Sequence, residues 1–156
     1  MRRTDREVTD FNAVVDILRR ADTIRLGMHA GEHPYVVPLS FGFEVVDGRV
    51  ILYFHGAKAG RKHDLLRANP HVCVEADIFH RYVMNPGGPT TMYESFIGFG
   101  LAEPVTGGEA AHGMDLMLTH CGFDGYAFDP GALEHTEITK ITLDTCTGKR
   151  HVEENW

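Results

Sequence analysis

The sequence predicts a mainly β protein, in which six antiparallel strands close fully or partly into a barrel and a few helices flank it. Over residues 35–45 every odd position is apolar, which is the period-2 pattern of a strand. Asp47-Gly48, between this run and the next, is a two-residue hairpin signal. Helical patterns are few and do not alternate with strands, so a doubly wound parallel sheet is not expected. Closing the sheet would remove its exposed edges.

Composition predicts a single soluble domain over residues 1–156. Hydrophobic residues make up 43% of the chain and charged residues 24%, as in ordinary globular proteins. The net charge of −7 argues against a nucleic-acid or anionic-membrane partner. The charged N-terminus and the lack of a long apolar window predict a cytoplasmic protein. Cys73 and Cys121 follow apolar patterns and are predicted to be buried thiols of a reducing compartment.

The first half of the chain reads as one helix followed by strands. Thr9 and Asp10 are N-cap candidates, and the apolar residues after them have helical spacing. Residues 35–45 form either one strand or two strands joined by a bend at Gly42. The predicted elements are a helix ending near Ala21, strands over 23–28, 35–45 and 49–55 with a turn at 29–34, and a short helix over 61–68.

The second half is predicted to contain three strands and one helix. Thr106 and Glu109 have the spacing of a capping box, and a helical apolar face follows them. Between Ile138 and Ile141 the apolar residues of the last strand change from even to odd positions, which predicts a bulge there. The predicted elements are strands over 71–77, from 93 to about 103, and 136–146, with an exposed loop at 85–89 and another loop at 122–131.

The segment between residues 52 and 64 is the most informative part of the chain for function. A strand ends, Gly56 and Gly60 permit unusual turns, and a helix begins at once with Lys58, Arg61 and Lys62 around its N-terminus. Cations there oppose the helix dipole, and a bound anion would relieve the conflict because free amides and cations converge on it. The alternative is a solvated basic loop. The glycine spacing does not fit a Walker A loop.

A second candidate ligand surface lies at residues 36–42. Pro38 cannot donate to a sheet ladder, so the strand is expected to lie at an edge or bulge there. A flat ligand could lie against the backbone that Pro38, Ser40 and Gly42 leave open. Taken alone, the segment is better explained as an ordinary edge strand.

The histidines predict no metal site. His29 and His33 match the H-x-x-E-H zinc pattern, but Gly31 and Pro34 break the helix that the pattern needs. His71 begins a strand just after the predicted phosphate site, so it lies in that neighbourhood, although such a residue is often only a surface group.

In order along the chain, YVVPLSFGF at 35–43, LYFHGA at 52–57 with GRK at 60–62, NPHVC at 69–73, YESFIGFG at 93–100 and TGK at 147–149 resemble a known family. They are similar to nitroimidazole-resistance (Nim-type) proteins of the pyridoxamine 5′-phosphate oxidase-like flavin-binding superfamily. The resemblance runs from about Arg3 to Lys149. The chain differs from the usual pattern at Ser40, where Asn is common, and at 85–89, which lacks a cysteine.

The resemblance implies a six-stranded Greek-key split β-barrel that dimerises and holds two FMN molecules at the subunit interface. It implies that Ser95 comes from the dimer seam and that His71, the one candidate catalytic residue, lies on the substrate side. The residues implied to bind the phosphate are His55, Gly56, Lys58, Gly60, Arg61 and Lys62. Those implied to line the flavin ring are Val37, Pro38, Leu39, Ser40 and Phe41.

The resulting functional hypothesis is an FMN-dependent oxidoreductase that reduces a small aromatic, such as a nitro or nitroimidazole compound. The flavin would carry the electrons, and the protein would position it and tune its ring. Two alternatives remain open. One is a deazaflavin-dependent reductase or a vitamin B6-phosphate oxidase on the same barrel, and the other is a non-catalytic flavin or haem binder.

Overall fold

A computed structural model describes residues 2–129 and 131–152, and it shows an antiparallel sheet with helices on its outside. A turn of 3-10 helix (Thr4–Arg6) precedes the sheet. The strands are β1 (Glu7–Val8), β2 (Ile24–Ala30), β3 (His33–Leu39), β4 (Gly42–Val46), β5 (Arg49–Ala57), β6 (His71–Asn85), β7 (Gly88–Val105) and β8 (Thr136–His151). The helices are α1 (Phe11–Arg20), α2 (Arg61–Ala68), α3 (Gly107–His120) and α4 (Ala132–His135).

The sheet has the strand order β3-β2-β6-β7-β8-β5-β4, and β1 pairs with β8. Every pairing is antiparallel. The mainly β antiparallel fold is therefore confirmed, but within the described residues the strands number eight and not six. One extra strand is β1, which is too short to leave a sequence pattern.

The other extra strand comes from the long apolar run, which divides into β3 and β4. A Cβ built at Gly42 would lie 2.3 Å from the backbone nitrogen of Met117, so α3 packs directly on the glycine backbone. The chain leaves the β3 ladder at Ser40 and starts a new one at Gly42. The bend at this glycine, one of the two predicted outcomes, is the one observed.

The expected loop at 85–89 is wrong. β6 and β7 continue past the predicted strand ends and pair as far as Asn85 and Gly88, so only Pro86 and Gly87 form the turn. The segment is a long two-stranded hairpin because neighbouring backbones satisfy each other's hydrogen bonds even where the side chains are polar.

The last strand contributes apolar residues to two separate core clusters, which explains why they change from even to odd positions. Ile141 packs in the main core with α1 and the inner face of the sheet, whereas Ile138 packs in a second cluster beneath α3. Residues 136–142 pair with β5 without a register shift, so the bulge predicted between Ile138 and Ile141 is wrong. The irregularity lies instead opposite Phe99 and Gly100, where Asp144 is the extra residue.

Helix capping is predicted correctly at α1 and incorrectly at α3. Asp10 Oδ1 accepts a hydrogen bond from the Ala13 amide at 2.8 Å. Thr106 makes no side-chain cap, and Glu109 accepts a hydrogen bond from Lys140 Nζ at 2.8 Å instead. Cys121 is exposed and not buried as predicted, because it lies at the C-terminal end of α3. Among the described residues, no helix has the length and apolarity needed to cross a membrane.

Candidate functional site

An open groove of about 400 Å³ lies between β3 and the start of α2. It joins the two segments that the sequence marked separately, 36–42 and 52–64. β3 is at one end of the sheet and pairs only with β2 among the described strands, so one of its edges is open beside the groove, as Pro38 predicted. Six of the predicted residues line the groove: Val37, Pro38, Leu39, Gly60, Arg61 and Lys62.

The backbone before α2 leaves the start of the helix uncapped. β5 ends at Ala57, and Gly60, with φ of +136°, occupies the N-cap position that an L residue would adopt only with strain. Glycine offers no side-chain oxygen, and no side chain caps the first turn. The first amides of the helix are thus available to an anion, with the positive end of the helix dipole behind them.

Two cations border this helix end. The Arg61 guanidinium lies 4.8 Å from the centroid of the Tyr35 ring, and Lys62 Nζ lies 4.6 Å from the centroid of the Phe54 ring. Burial lowers the pKa of Lys62, although the nearby Glu137 carboxylate opposes the shift. The aromatic rings hold both cations near the groove without neutralising their charge.

Gly56 makes space for the polar groups at the base of the groove. A Cβ built there would lie 2.8 Å from Lys62 Nζ and 3.0 Å from His63 Nε2. Gly56 pairs with Glu137 across the β5–β8 ladder, which brings that carboxylate to the same level. Lys62 and His63 therefore pack directly on the Gly56 backbone.

His63 is the most unusual residue of the site, since it is only 3% exposed and its ring is not satisfied. Nδ1 lies against Glu137 Oε1 without hydrogen-bond geometry, and Nε2 has no partner among the described residues. Glu137 Oε2 also accepts from Arg67 Nη2 at 3.2 Å. The uncapped helix start, the cations Arg61 and Lys62 and a buried ring nitrogen without a partner among the described residues together fit an anionic group such as a phosphate.

His63 and Glu137 were missed by the sequence analysis. Its partner lies 74 positions later in the chain, and only the pairing of Gly56 with Glu137 brings the two together. A histidine in the first turn of a helix that also carries two cations was the available signal.

Three of the predicted phosphate residues lie outside the groove lining: Gly56, described above, His55 and Lys58. His55 is exposed on β5 and pairs with Ile138. Lys58 lines a different cleft of about 600 Å³, together with Arg67 and Val105. The Lys58 carbonyl accepts a hydrogen bond from Arg67 Nη2 at 3.3 Å, so this part of the loop is turned toward α3.

Of the residues predicted to line the flavin ring, some line the groove and others do not. Phe41 is fully buried in the main core, so its side chain is not accessible from the groove. Ser40 is exposed at the end of β3. Ser95 on β7 pairs with Asp77 and Lys149, and His71 is exposed at the start of β6 opposite Leu101. Neither Ser95 nor His71 lines the groove of its own chain.

Ser95 and His71 belong instead to the outer face of the sheet. Alternate residues of β7 point outward, and three consecutive ones are large and apolar: Ile97 is 40% exposed, Phe99 56% and Leu101 42%. We call these three residues the outer strip. His71, Cys73 and Glu75 of β6 lie beside it in register. An exposed apolar face of this kind is typical of a protein interface.

The H-x-x-E-H pattern lies in the hairpin between β2 and β3, where Gly31 has φ of +80°. Its histidines are therefore not on one helical face. Across the described ranges, no group of three or more possible ligands could hold a metal ion.

Comparison with solved structures supports the motif resemblance. A proposed 5-nitroimidazole antibiotic resistance protein from Bacteroides thetaiotaomicron superposes with a TM-score of 0.82 and is 28% identical, over 92% of this chain and 85% of that chain. The flavocytochrome Anf3 from Azotobacter vinelandii has a TM-score of 0.79 at 18% identity, over 98% of this chain and 72% of that one.

A FAD and heme binding protein from Mycobacterium smegmatis also shares the fold, with a TM-score of 0.76 at 18% identity over 95% of this chain and 74% of that one. A search of curated proteins returned no significant match. The sequence profile described as pyridoxamine 5'-phosphate oxidase matches residues 10–150, almost the whole chain. The resemblance inferred from the motifs is thus confirmed, and the chain belongs to the pyridoxamine 5'-phosphate oxidase family.

Proposed function

We propose that this chain is a single FMN-binding domain that works as a flavin-dependent oxidoreductase, with the FMN phosphate in the groove at the start of α2. The observation that carries the proposal is the unsatisfied polar end of the groove. The uncapped amides of α2 lie there with Arg61 and Lys62, which are held against aromatic rings, and with the buried His63, whose Nε2 has no partner among the described residues. An anion would satisfy all of them at once.

Two surfaces of the groove would bind different parts of the ligand. Arg61 and Lys62 would bind the phosphate together with the first amides of α2. The open backbone edge of β3 from Val37 to Leu39 would lie along the flavin ring, because carbonyl and amide groups that are not used by the sheet can meet polar atoms on the ring. When bound, the flavin supplies the electron-transfer chemistry, and these residues position it and exclude water from one side.

The outer strip supports a homodimer. Its three exposed apolar residues would be covered by a second copy of the chain, as isologous interfaces bury the same patch twice. Ser95 and His71 lie at the two ends of this face, so a dimer would bring them to the seam although neither lines the groove of its own chain. His71 would then face a small aromatic substrate bound on the flavin, as a candidate proton donor or orienting group.

The reduction of a nitro compound is the favoured chemistry. The similar protein from Bacteroides thetaiotaomicron is described as acting in 5-nitroimidazole resistance, and its likeness covers most of both chains. The three free cysteines fit a reducing compartment, so we place the protein in the cytoplasm.

The visible spectrum of the protein purified without added cofactor, with the released ligand identified by mass, tests the proposal. We expect an FMN spectrum, and we expect the apoprotein to bind FMN at least about tenfold more tightly than riboflavin, which lacks the phosphate. Reduced protein should then reduce a nitroaromatic. A deazaflavin, a vitamin B6 phosphate or haem as the bound ligand would instead support an alternative, and a protein that binds no flavin would refute the proposal.

The dimer has its own test, with a matched control. Phe99→Ser should convert the protein to monomers in sedimentation analysis, because it removes the largest apolar side chain of the outer strip. Phe123→Ser removes a phenyl ring that is similarly exposed, at 60%, but lies beyond the end of α3, and should leave the mass unchanged. Equal masses for the two variants and the wild type would contradict the interface.

A further inference from the structure

A second cleft, with a volume of about 600 Å³, lies beside the groove, whose volume is about 400 Å³. The loop between β5 and α2 separates the two spaces, because Ala57 and Ala59 line the groove whereas Lys58, between them, lines the cleft. The described residues that line the two spaces do not overlap. The proposed function therefore does not use this cleft, which is large enough for a small organic molecule.

The floor of the cleft is apolar. Val105 at the end of β7, Ala110 on α3 and Ile138 on β8 line it, and all three are buried. They belong to the core cluster beneath α3, so the cleft opens onto one side of that cluster. An apolar chain or ring that lies on this floor would lose its contact with water, and this loss favours binding.

Two exposed cations, Lys58 and Arg67, also line the cleft. Arg67 Nη2 donates a hydrogen bond to the Lys58 carbonyl at 3.3 Å, so the two residues are neighbours in one wall. Arg67 is partly engaged, because Nη2 also lies 3.2 Å from Glu137 Oε2. Lys58 makes no ion pair with any residue in the described part of the chain, so its ammonium group can bind a ligand.

The other charges of the cleft favour a ligand with a single anionic group. Glu137 lines the cleft, but Arg67 and His63 already share its carboxylate. Glu134 on α4 is exposed and would repel any negative charge that Lys58 does not compensate. The start of α3 lines the cleft as well, and the positive end of its dipole favours an anion over a cation.

We propose that this cleft is a second ligand site, which binds a small apolar monocarboxylate. The hydrocarbon part would lie on Val105, Ala110 and Ile138, and the carboxylate would bind Lys58 and Arg67. A carboxylate accepts hydrogen bonds from both an ammonium and a guanidinium group, and such charge-assisted bonds are stronger than neutral ones. The site belongs to one chain, and it depends neither on the flavin nor on the dimer.

Octanoate, octanamide and octylamine test the site, because they share an alkyl chain and differ in the head group. Octanoate should bind about fivefold more tightly than the neutral octanamide, and octylamine, a cation at neutral pH, should bind more weakly than both. Calorimetry measures the affinities, and octanoate should shift the amide NMR signals of Val105, Ala110 and Ile138. Octylamine that binds as tightly as octanoate, or shifts confined to the outer strip or the groove, would overturn the proposal.

Two variants separate the contribution of the charge from that of the floor. Lys58→Met keeps a long side chain without the charge, so it should remove most of the preference for octanoate over octanamide. Val105→Thr keeps the shape of the side chain but adds a hydroxyl group to the floor, and it should weaken both probes about threefold. Arg49→Met is the matched control, because it removes an exposed cation at the other end of β5 and should leave both affinities unchanged. If Lys58→Met and this control bind octanoate equally well, the proposal is wrong, and this comparison decides the question if Val105→Thr does not fold.

The same titrations with and without FMN keep this inference separate from the proposed function. FMN should not compete with octanoate, because the described residues that line the two spaces do not overlap. Displacement of octanoate by FMN would place octanoate in the groove and overturn this inference, while the proposed function would stand. A protein that binds octanoate through Lys58 but binds no FMN would support the second site and refute the proposed function.

Discussion

Two clusters of arginine, glutamate and histidine lie at different places in the molecule, and they differ in whether their polar atoms are satisfied. In the first, the Glu94 cluster, the carboxylate is 3% exposed and accepts hydrogen bonds from Arg20 at 2.8 and 2.9 Å and from Arg150 at 2.6 Å. His80 Nε2 adds a contact at 3.1 Å. These partners join the end of α1 to β6, β7 and β8.

In the second, the Glu137 cluster, Arg67 and His63 share the carboxylate, and His63 lines the groove, but its Nε2 has no partner in the part of the chain that the structure describes. The composition of the two clusters is nearly the same. A buried charge whose hydrogen bonds are all made stabilises the fold, whereas a buried polar group without a partner beside a groove is one that a ligand could satisfy, as the proposed function requires.

The pKa of Glu94 shows how complete the first cluster is. Burial by itself would raise that pKa, but the hydrogen bonds and charges of Arg20 and Arg150 outweigh it and lower the pKa to about 2. The charged carboxylate is therefore strongly preferred in the folded state. Removal of this carboxylate should have the largest effect of the changes considered.

Glu94→Gln should lower the free energy of unfolding by about 3 kcal/mol, because it leaves two arginines and a histidine around a neutral amide. Urea unfolding at neutral pH measures the loss. Glu103→Gln is the control, since this exposed carboxylate pairs with Lys140 at the surface and its loss should cost less than about 1 kcal/mol. Equal losses for the two variants would show that the Glu94 cluster has no special structural role.

The same variant gives a prediction for acid. The folded-state pKa of Glu94 lies below its ordinary value of 4.5, so its contribution to stability is fully present above about pH 4.5 and is lost as the pH falls toward 2. Wild-type stability should decline over this range more steeply than that of Glu94→Gln. Parallel acid profiles would contradict the assignment.

The groove beside the second cluster should respond in ligand binding and not in stability. Replacing both Arg61 and Lys62 by Ala should weaken FMN binding by at least about 100-fold, because two charge-assisted contacts to the phosphate are lost. Fluorescence titration measures the affinity, and the unfolding midpoint should stay within a few degrees of the wild type. The double variant Arg19→Ala/Arg49→Ala removes the same charge far from the groove, and if it lost affinity equally, a specific phosphate site would be excluded.

A smaller effect is expected at Gly56. Gly56→Ala places a methyl group 2.8 Å from Lys62 Nζ and 3.0 Å from His63 Nε2, so the flexible lysine must move aside, at the expense of the phosphate contact proposed for it. We expect FMN affinity to fall about tenfold with little change in riboflavin affinity. Gly87→Ala is the control, because a Cβ there meets nothing within 4 Å at the tip of the β6–β7 hairpin. An unchanged FMN affinity in Gly56→Ala would mean that Lys62 does not contact the phosphate from its observed position.

The sequence by itself determined the elements and the two surfaces of the groove. Period-2 apolar patterns predicted most strands, Asp10 predicted the start of α1, and the cations after Gly60 predicted an anion site at the start of α2. These features are readable because each depends on neighbours within a few residues, where periodicity and helix-end chemistry act. Pro38 likewise predicted the edge strand from its missing donor.

Only the tertiary structure decided which of those residues meet. The β5–β8 register places Glu137 beside His63, and the packing of α3 on Gly42 buries Phe41 while the loop turns Lys58 into another cleft. The extension of β6 and β7 to the turn at Pro86 could not be predicted from the sequence either, because ladder hydrogen bonds need no apolar pattern. The physical reason is the same in each case: strand register and helix docking join residues far apart in the chain, and local sequence patterns do not encode those distances.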